Sequence, residues 1–382
     1  MNNNCYEPLY FSGAKCSLKK SIEKNITGIF ESYCYNEISL PFYGNENNSG
    51  LTLSLAKAYA TELTDCILPE RAFCIGNSFS DKSILGRDMG EISLAGAAIG
   101  GEANPKADAE IISVMINSLL GIGMTEFNIC LSNAGFLTGL ANDLGVDASE
   151  FKALIAENNA EKIKAFAKKA GADEEIEAFL LSIPTLFGDL NIYDEINMDI
   201  LGEQSENALS NIKRIYKLLC DYDMEKYISV DLGLADYPDY YTGMVFKGVV
   251  NQTEDFAVCS GGRCDNLCKE YGRNIKFVCG FLETSKITEL VYSDSDTDSK
   301  LIPLALVASD IPKLAYKVSF GLRAQGLKVE DFVSGASMIE AIEYGEEKGI
   351  TIVIWVNEET AIMRNLKTGE MSETSLDKLL NN

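Results

Sequence analysis

Hydrophobic positions along this chain recur with two periods, and the places where the period changes divide it. Leu18, Ile22, Ile26, Ile29 and Phe30 keep helical spacing and predict an opening helix. Residues 35–40 read as a strand leading into Pro41. A helix is expected over 51–63, strands over 73–79 and 92–99, and a helix over 107–120 introduced by Asn104-Pro105. A further strand covers 127–132. Between 133 and 198 short amphipathic helices take over, marked by Phe151, Leu154, Ile155, Ile163, Phe166, Ile176, Phe179 and Leu180 among many Ala, Glu and Lys residues. Residues 206–222 return as one amphipathic helix with Leu209, Ile212, Ile215 and Leu219 on a single stripe.

Two strands follow. Residues 240–250 are rich in aromatic and β-branched side chains (Tyr241, Thr242, Val245, Phe246, Val249), 251–255 is a polar turn, and 256–259 returns. Gly261-Gly262 is expected to make a corner where the missing Cβ lets backbone approach a neighbour or ligand. Asp265 then stands near the start of the helix that Leu267 begins.

The segment SDSDTDSK at 293–300 is polar and acidic and reads as a linker. Beyond it strands at 301–308, 327–332 and 350–356 alternate with helices at 312–325 and 337–348, closed by Gly326 and Gly349. Such alternation predicts a small mixed or parallel sheet covered by helices. The expected organisation is a core over 1–292 with a helical insertion at 133–198, the linker, and an α/β domain over 301–382.

Composition narrows the chemistry. The chain has 382 residues, 46% of them hydrophobic and 24% charged, and a formal charge of −24. Nucleic-acid binding draws on clustered Lys and Arg, and no such block occurs. No apolar run is long enough to span a membrane. Eleven cysteines without a secretion signal point to a reducing cytosol. They form no paired CxxC motifs; Cys264 and Cys268 read as free thiols rather than a metal site, and no cofactor is implied. Histidine is absent altogether. That removes the commonest general base and the commonest metal ligand. Chance in an Asn-, Lys- and Ile-rich chain explains the absence; so does economy in a protein needed during histidine shortage.

Two segments carry the strongest signal: Asp239-Tyr240-Tyr241-Thr242-Gly243, and Gly261-Gly262-Arg263-Cys264-Asp265-Asn266-Leu267. Together they resemble the two signature segments of histidyl-tRNA synthetases and their non-catalytic relatives. The resemblance implies an α+β fold: a class II aminoacyl-tRNA synthetase-like antiparallel sheet core with a helical insertion, then an anticodon-binding-like α/β domain. Residues 35–41 resemble the first class II motif, which implies a homodimer. Residues 322–329 and 366–370 resemble the anticodon-binding domain. Asp239, Tyr240, Tyr241, Thr242, Gly243, Gly261, Gly262 and Arg263 become the candidate lining of a remodelled histidine-type pocket.

The departures from the family decide what the resemblance means. A class II ligase gathers negative charge as a carboxylate attacks the α-phosphate of ATP, and needs fixed cations there. After the strand at 76–79 come Ser80, Asp81 and Lys82, with no arginine between Arg71 and Arg87. After Gly280-Phe281 no arginine occurs before Arg323. Lysine lacks the planar bidentate grip of guanidinium. Asp236-Tyr237-Pro238 replaces the family's Arg-Gly-Leu, Cys264 replaces an aromatic, and Leu94 and Ala98 stand where glutamine and glutamate are usual. The pattern is similar to the regulatory subunits of ATP phosphoribosyltransferase, which have this architecture without the ligase chemistry. Membership implies no catalytic residue here. It implies a short-form catalytic partner in a hetero-oligomer, activation of that partner, and histidine as an effector at the first step of histidine biosynthesis. A working histidyl-tRNA synthetase-like ligase and a repurposed synthetase-like binding protein are the alternatives.

Overall fold

The computed structural model describes residues 10–40, 51–80, 90–250, 257–293, 302–333 and 337–380. The chain separates into two compact units, Met1–Ser293 and Asp294–Asn382. The expected linker at 293–300 lies, apart from Ser293, outside the described residues, as do Pro41 and the turn at 251–255.

The first unit opens with helix α1 (Gly13–Ser32), whose Ile22, Ile26 and Phe30 are buried, as the periodicity requires. Strand β1 (Asn36–Glu37) is shorter than the sequence implies. Helix α2 (Leu51–Thr61) leads to the long antiparallel pair β2 (Glu70–Ser80) and β3 (Gly90–Gly100). Helix α3 (Pro105–Gly121) starts where expected: the Asn104 side chain accepts hydrogen bonds from the N–H groups of Lys106 and Ala107, and Pro105 fills the first turn. Strand β4 (Phe127–Asn133) runs directly into helix α4 (Ala134–Asp143). Helices α5 (Ala148–Ala156), α6 (Ala160–Ala170) and α7 (Glu174–Ser182) follow, each capped by an Asp or Asn side chain. Then come β5 (Phe187–Gly188), helix α8 (Glu203–Asp221) and β6 (Ile228–Asp231). Strands β7 (Met244–Val250) and β8 (Ala257–Arg263), the short helix α9 (Leu267–Glu270), β9 (Phe277–Glu283) and α10 (Thr284–Val291) complete the unit.

These nine strands form one sheet in the order β1-β2-β3-β9-β8-β7-β4-β6-β5. The six from β2 to β4 are antiparallel throughout. Alternation assigns the two faces cleanly on β3. Ala95, Ala97 and Ile99 join the core with α1, α3 and the helices of residues 134–221. Ile92, Leu94 and Ala98 face a second core with α2. Tyr59 of α2 fixes that helix: its hydroxyl lies 3.0 and 2.9 Å from the carbonyl oxygens of Glu70 and Ala98.

The second unit contains β10 (Ala305–Ala308), helix α11 (Pro312–Ala324), β11 (Val329–Asp331), helix α12 (Met338–Lys348) and β12 (Ile352–Val356). The alternation read from the sequence is present, and Gly349 ends α12 in the left-handed conformation. The sheet is mixed, in the order β11-β10-β12-β13-β14. Strands β13 (Thr360–Asn365) and β14 (Met371–Ser375) and the terminal helix α13 (Leu376–Leu380) were not expected. Residues 366–370 form the turn joining β13 to β14.

Candidate functional site

The two signature segments meet at one end of β7 and β8, and their local structure differs from the expected hairpin in two ways. First, Tyr240–Gly243 precede the strand, which begins at Met244. The Tyr241 N–H donates to the Pro238 carbonyl at 3.3 Å, closing a turn. Consecutive Tyr240 and Tyr241 rings therefore lie 4.9 Å apart instead of pointing to opposite faces. Second, Gly261 and Gly262 are not a corner but lie inside β8. Their need for hydrogen in place of a side chain is steric. A Cβ on Gly262 would stand 2.6 Å from the Met244 carbonyl oxygen and 2.8 Å from the Tyr241 ring, and one on Gly261 would stand 2.3 Å from the Cys279 carbonyl oxygen.

Backbone bonds clamp the segments together. The Thr242 N–H donates to the Arg263 carbonyl at 2.7 Å, and the Asp265 N–H donates to the Thr242 hydroxyl at 2.9 Å. The Ala134 N–H donates to the Gly243 carbonyl at 2.8 Å, tying the segment to the start of α4.

Arg263 is the most informative side chain. It is buried, and every nitrogen is close to a partner. Nε donates to Asp108 Oδ1 at 2.8 Å and Nη2 lies 2.6 Å from the same oxygen; Nη1 donates to the Glu102 carbonyl at 2.9 Å and to Asp265 Oδ1 at 3.0 Å. Burial works against its charge, but Asp108 and then Asp265 hold its pKa above the ordinary arginine value. The guanidinium is thus committed to the fold. Asp108 and Glu102 escaped the reading of the sequence. The trace of Asp108 was there: a carboxylate interrupts the buried stripe of Ala107, Ile111, Ile112 and Met115.

Asp239 also serves a structural contact. Lys152 of α5 forms an ion pair with it, Ser149 Oγ donates to Asp239 Oδ2 at 3.2 Å, and Lys152 Nζ donates to the Tyr237 carbonyl at 2.7 Å. The Lys152 hydrogen bond holds the Asp239 carboxyl below its usual pKa. Lys152 also sits 4.7 Å from the Tyr237 ring centroid. A cleft of about 390 Å³ lies alongside, lined by Thr138, Ser149, Lys152, Gln204, Asp239 and Tyr241. Neither Ser149 nor Lys152 was foreseen, because nothing in a lysine on a short amphipathic helix marks a contact 87 residues away.

The sheet face beside these segments is apolar. Leu94 and Ala98 pack with Leu51, Leu55, Cys264, Cys279 and Phe281, and Tyr240 and Tyr241 pack against this cluster. Cys264 is fully buried, and burial drives its thiol pKa well up, as it does the phenols of Tyr240 and Tyr241. These groups stay protonated and supply no anion or base. Past β9, Ser285 Oγ donates to Glu283 Oε1 at 3.1 Å and accepts from the Ser93 N–H at 3.2 Å. Lys286 stands 3.8 Å from Glu289. Lys82 and Arg87 lie outside the described residues. Arg273 lies beyond α9 and caps α2: it donates to the carbonyls of Tyr59 and Leu63 at 2.9 and 2.7 Å and to Thr64 at 3.1 Å. Among the described residues no group of three or more Cys, Asp or Glu is arranged to hold a metal ion, and no helix is long and apolar enough to cross a membrane.

A six-stranded antiparallel core joined by a short parallel β1, with helices on both faces, defines a class II aminoacyl-tRNA synthetase-like fold. The histidyl-tRNA synthetase family model matches residues 48–282, and the chain belongs to that family. Curated relatives named "ATP phosphoribosyltransferase regulatory subunit" occur in Acetivibrio thermocellus, 28% identical over 96% of this chain and 95% of the relative, and in Ruminiclostridium cellulolyticum, 27% identical over 96% of each. Among solved structures, an "ATP phosphoribosyltransferase regulatory subunit/histidyl-tRNA synthetase" from Bacillus halodurans superposes with TM-score 0.74 at 20% identity, covering 93% of this chain and 98% of that one. The histidyl-tRNA synthetase of Nostoc sp. PCC 7120 does so with TM-score 0.69 at 18% identity, covering 99% and 98%.

Proposed function

We propose that this chain is a non-catalytic regulatory subunit of ATP phosphoribosyltransferase. It binds the short catalytic subunit, activates it, and takes part in feedback control by histidine at the first step of histidine biosynthesis. The observation that carries this reading is the fate of Arg263: the arginine of the family signature is spent on Asp108, Asp265 and the Glu102 carbonyl rather than left for a ligand. The names of relatives that match nearly the full length support the same assignment. With Leu94 and Ala98 on the sheet face in place of the family's polar residues, the groups that would read an imidazole and an ammonium are missing. Aminoacylation is accordingly absent. The chain's part is allosteric, favouring one state of the catalytic subunit over another. A homodimer within a hetero-oligomer, located in the cytoplasm, fits this role.

The test is to mix the purified chain with the short catalytic subunit from the same source and measure particle mass, while assaying this chain alone for histidine-dependent exchange of pyrophosphate into ATP. A larger particle without exchange supports the reading. Exchange by the chain alone, the outcome its membership of the histidyl-tRNA synthetase family makes worth testing, overturns it. Neither complex nor exchange leaves a repurposed binding protein.

A further inference from the structure

Helix α11 is amphipathic in an unusual sense. Leu314, Ala315, Val318 and Leu322 pack into the core against β10 and β12. The opposite stripe, at positions i, i+3, i+4 and i+7, is Lys313, Tyr316, Lys317 and Phe320, and all four are exposed. Tyr316 is 62% exposed and Phe320 60%, with ring centroids 6.0 Å apart and planes at 26°. Two large aromatic rings side by side in water are an unfavourable arrangement for a face that touches nothing. Leu327 and Leu304 are also partly exposed beyond the C-terminal end of the helix, where the Leu304 N–H donates to the Lys328 carbonyl at 2.8 Å.

The charge here runs against the rest of the molecule. Residues 311–329 contain Lys313, Lys317, Arg323 and Lys328 and no Asp or Glu, in a chain of formal charge −24. Arg323 is engaged by Asp331 at 2.8 Å and by the Val329 carbonyl. Lys313 and Lys317 make no ion pair among the described residues. They flank the rings as a cationic rim around an aromatic centre, the layout by which protein interfaces combine anchoring and orientation.

The geometry points to this outward face of α11 as a docking surface for a partner protein that presents an apolar recess edged by Asp and Glu. A nucleic acid is the poorer match. Lys313, Lys317 and Lys328 together neutralise only about three phosphates, short of the six or more that give salt-sensitive affinity, and each ring is partly occupied by the other. The inference rests on the function proposed above, with the short catalytic subunit as the partner.

The test uses the full chain. Dissociation constants for the catalytic subunit are measured for wild type, for Tyr316→Ser with Phe320→Ser, and for Lys313→Glu with Lys317→Glu, together with their salt dependence and thermal midpoints. Each double variant is expected to weaken the complex at least tenfold without lowering the midpoint. The lysine variant is also expected to lose much of the wild-type weakening by salt. A wild-type complex indifferent to both variants overturns this inference alone, while no wild-type complex overturns it together with the proposed function. Binding of structured RNA that the lysine variant abolishes, or self-association that the aromatic variant abolishes, overturns it in favour of RNA or a second copy.

Discussion

Arg263 Nη2 lies 2.6 Å from Asp108 Oδ1, and the two side chains are 7% and 1% exposed. This pair joins the second signature segment to the first turn of α3, across 155 residues of chain. Removing one partner strands the other charge in a poorly solvated place. Arg263→Ala and Asp108→Ala are each expected to cost about 3–5 kcal/mol, and the double variant less than their sum. Denaturant unfolding checks this. Unchanged stability in Arg263→Ala would show instead a guanidinium held in reserve for a ligand.

The glycines give a second prediction. Alanine at Gly261 or Gly262 drives a methyl group into backbone carbonyls that belong to the neighbouring strands. Because backbone cannot swing aside as a side-chain tip can, a loss of about 1–3 kcal/mol is expected for each. Thermal unfolding is the measurement, and a wild-type midpoint in Gly261→Ala would contradict the packing described.

How far the sequence discloses this arrangement depends on distance along the chain. The buried stripe of α1, the Asn104-Pro105 start of α3 and the Gly349 stop of α12 are local, and each was legible. Strand β13, half-buried beside β12, and strand β14, mostly exposed beside β13, went unread because neither carries a strong alternation. The signature segments were visible, but their roles were not. Gly261 and Gly262 look like a turn until β9 is placed beside them. Arg263 looks like a ligand-binding group until Asp108 and Glu102 arrive from elsewhere.

The clasp between α5 and the first signature segment depends on pH. Lys152 holds the Asp239 carboxyl below its ordinary value, so the folded pKa is lower than the unfolded one. The stabilisation is then present above the unfolded pKa of about 3.9 and is lost as pH falls through the folded value. Because the Asp239 side chain is 68% exposed, solvent keeps the effect at or below about 1 kcal/mol. Protection factors of the amides across 148–156, taken relative to the intrinsic exchange rate at each pH, should fall on acidification through that range. In Lys152→Met they should be lower at neutral pH and lose that dependence. A pH-independent wild type would contradict the clasp.

Arg273 gives a prediction about α2. Its bonds to the carbonyls of Tyr59, Leu63 and Thr64 satisfy groups at the end of a helix that covers the sheet face. Arg273→Ala is expected to cost about 1.5–3 kcal/mol and to raise hydrogen exchange in residues 58–64. Protection unchanged there would assign the anchoring of α2 to Tyr59 and the apolar contacts alone.

The most direct test of the regulatory account is the initial rate of the short ATP phosphoribosyltransferase subunit, titrated with this chain and repeated with added histidine. The account predicts a rate that rises with the regulatory chain, saturates at a fixed ratio, and falls when histidine is added. A rate indifferent to this chain at concentrations where the two proteins are mixed in excess would contradict it.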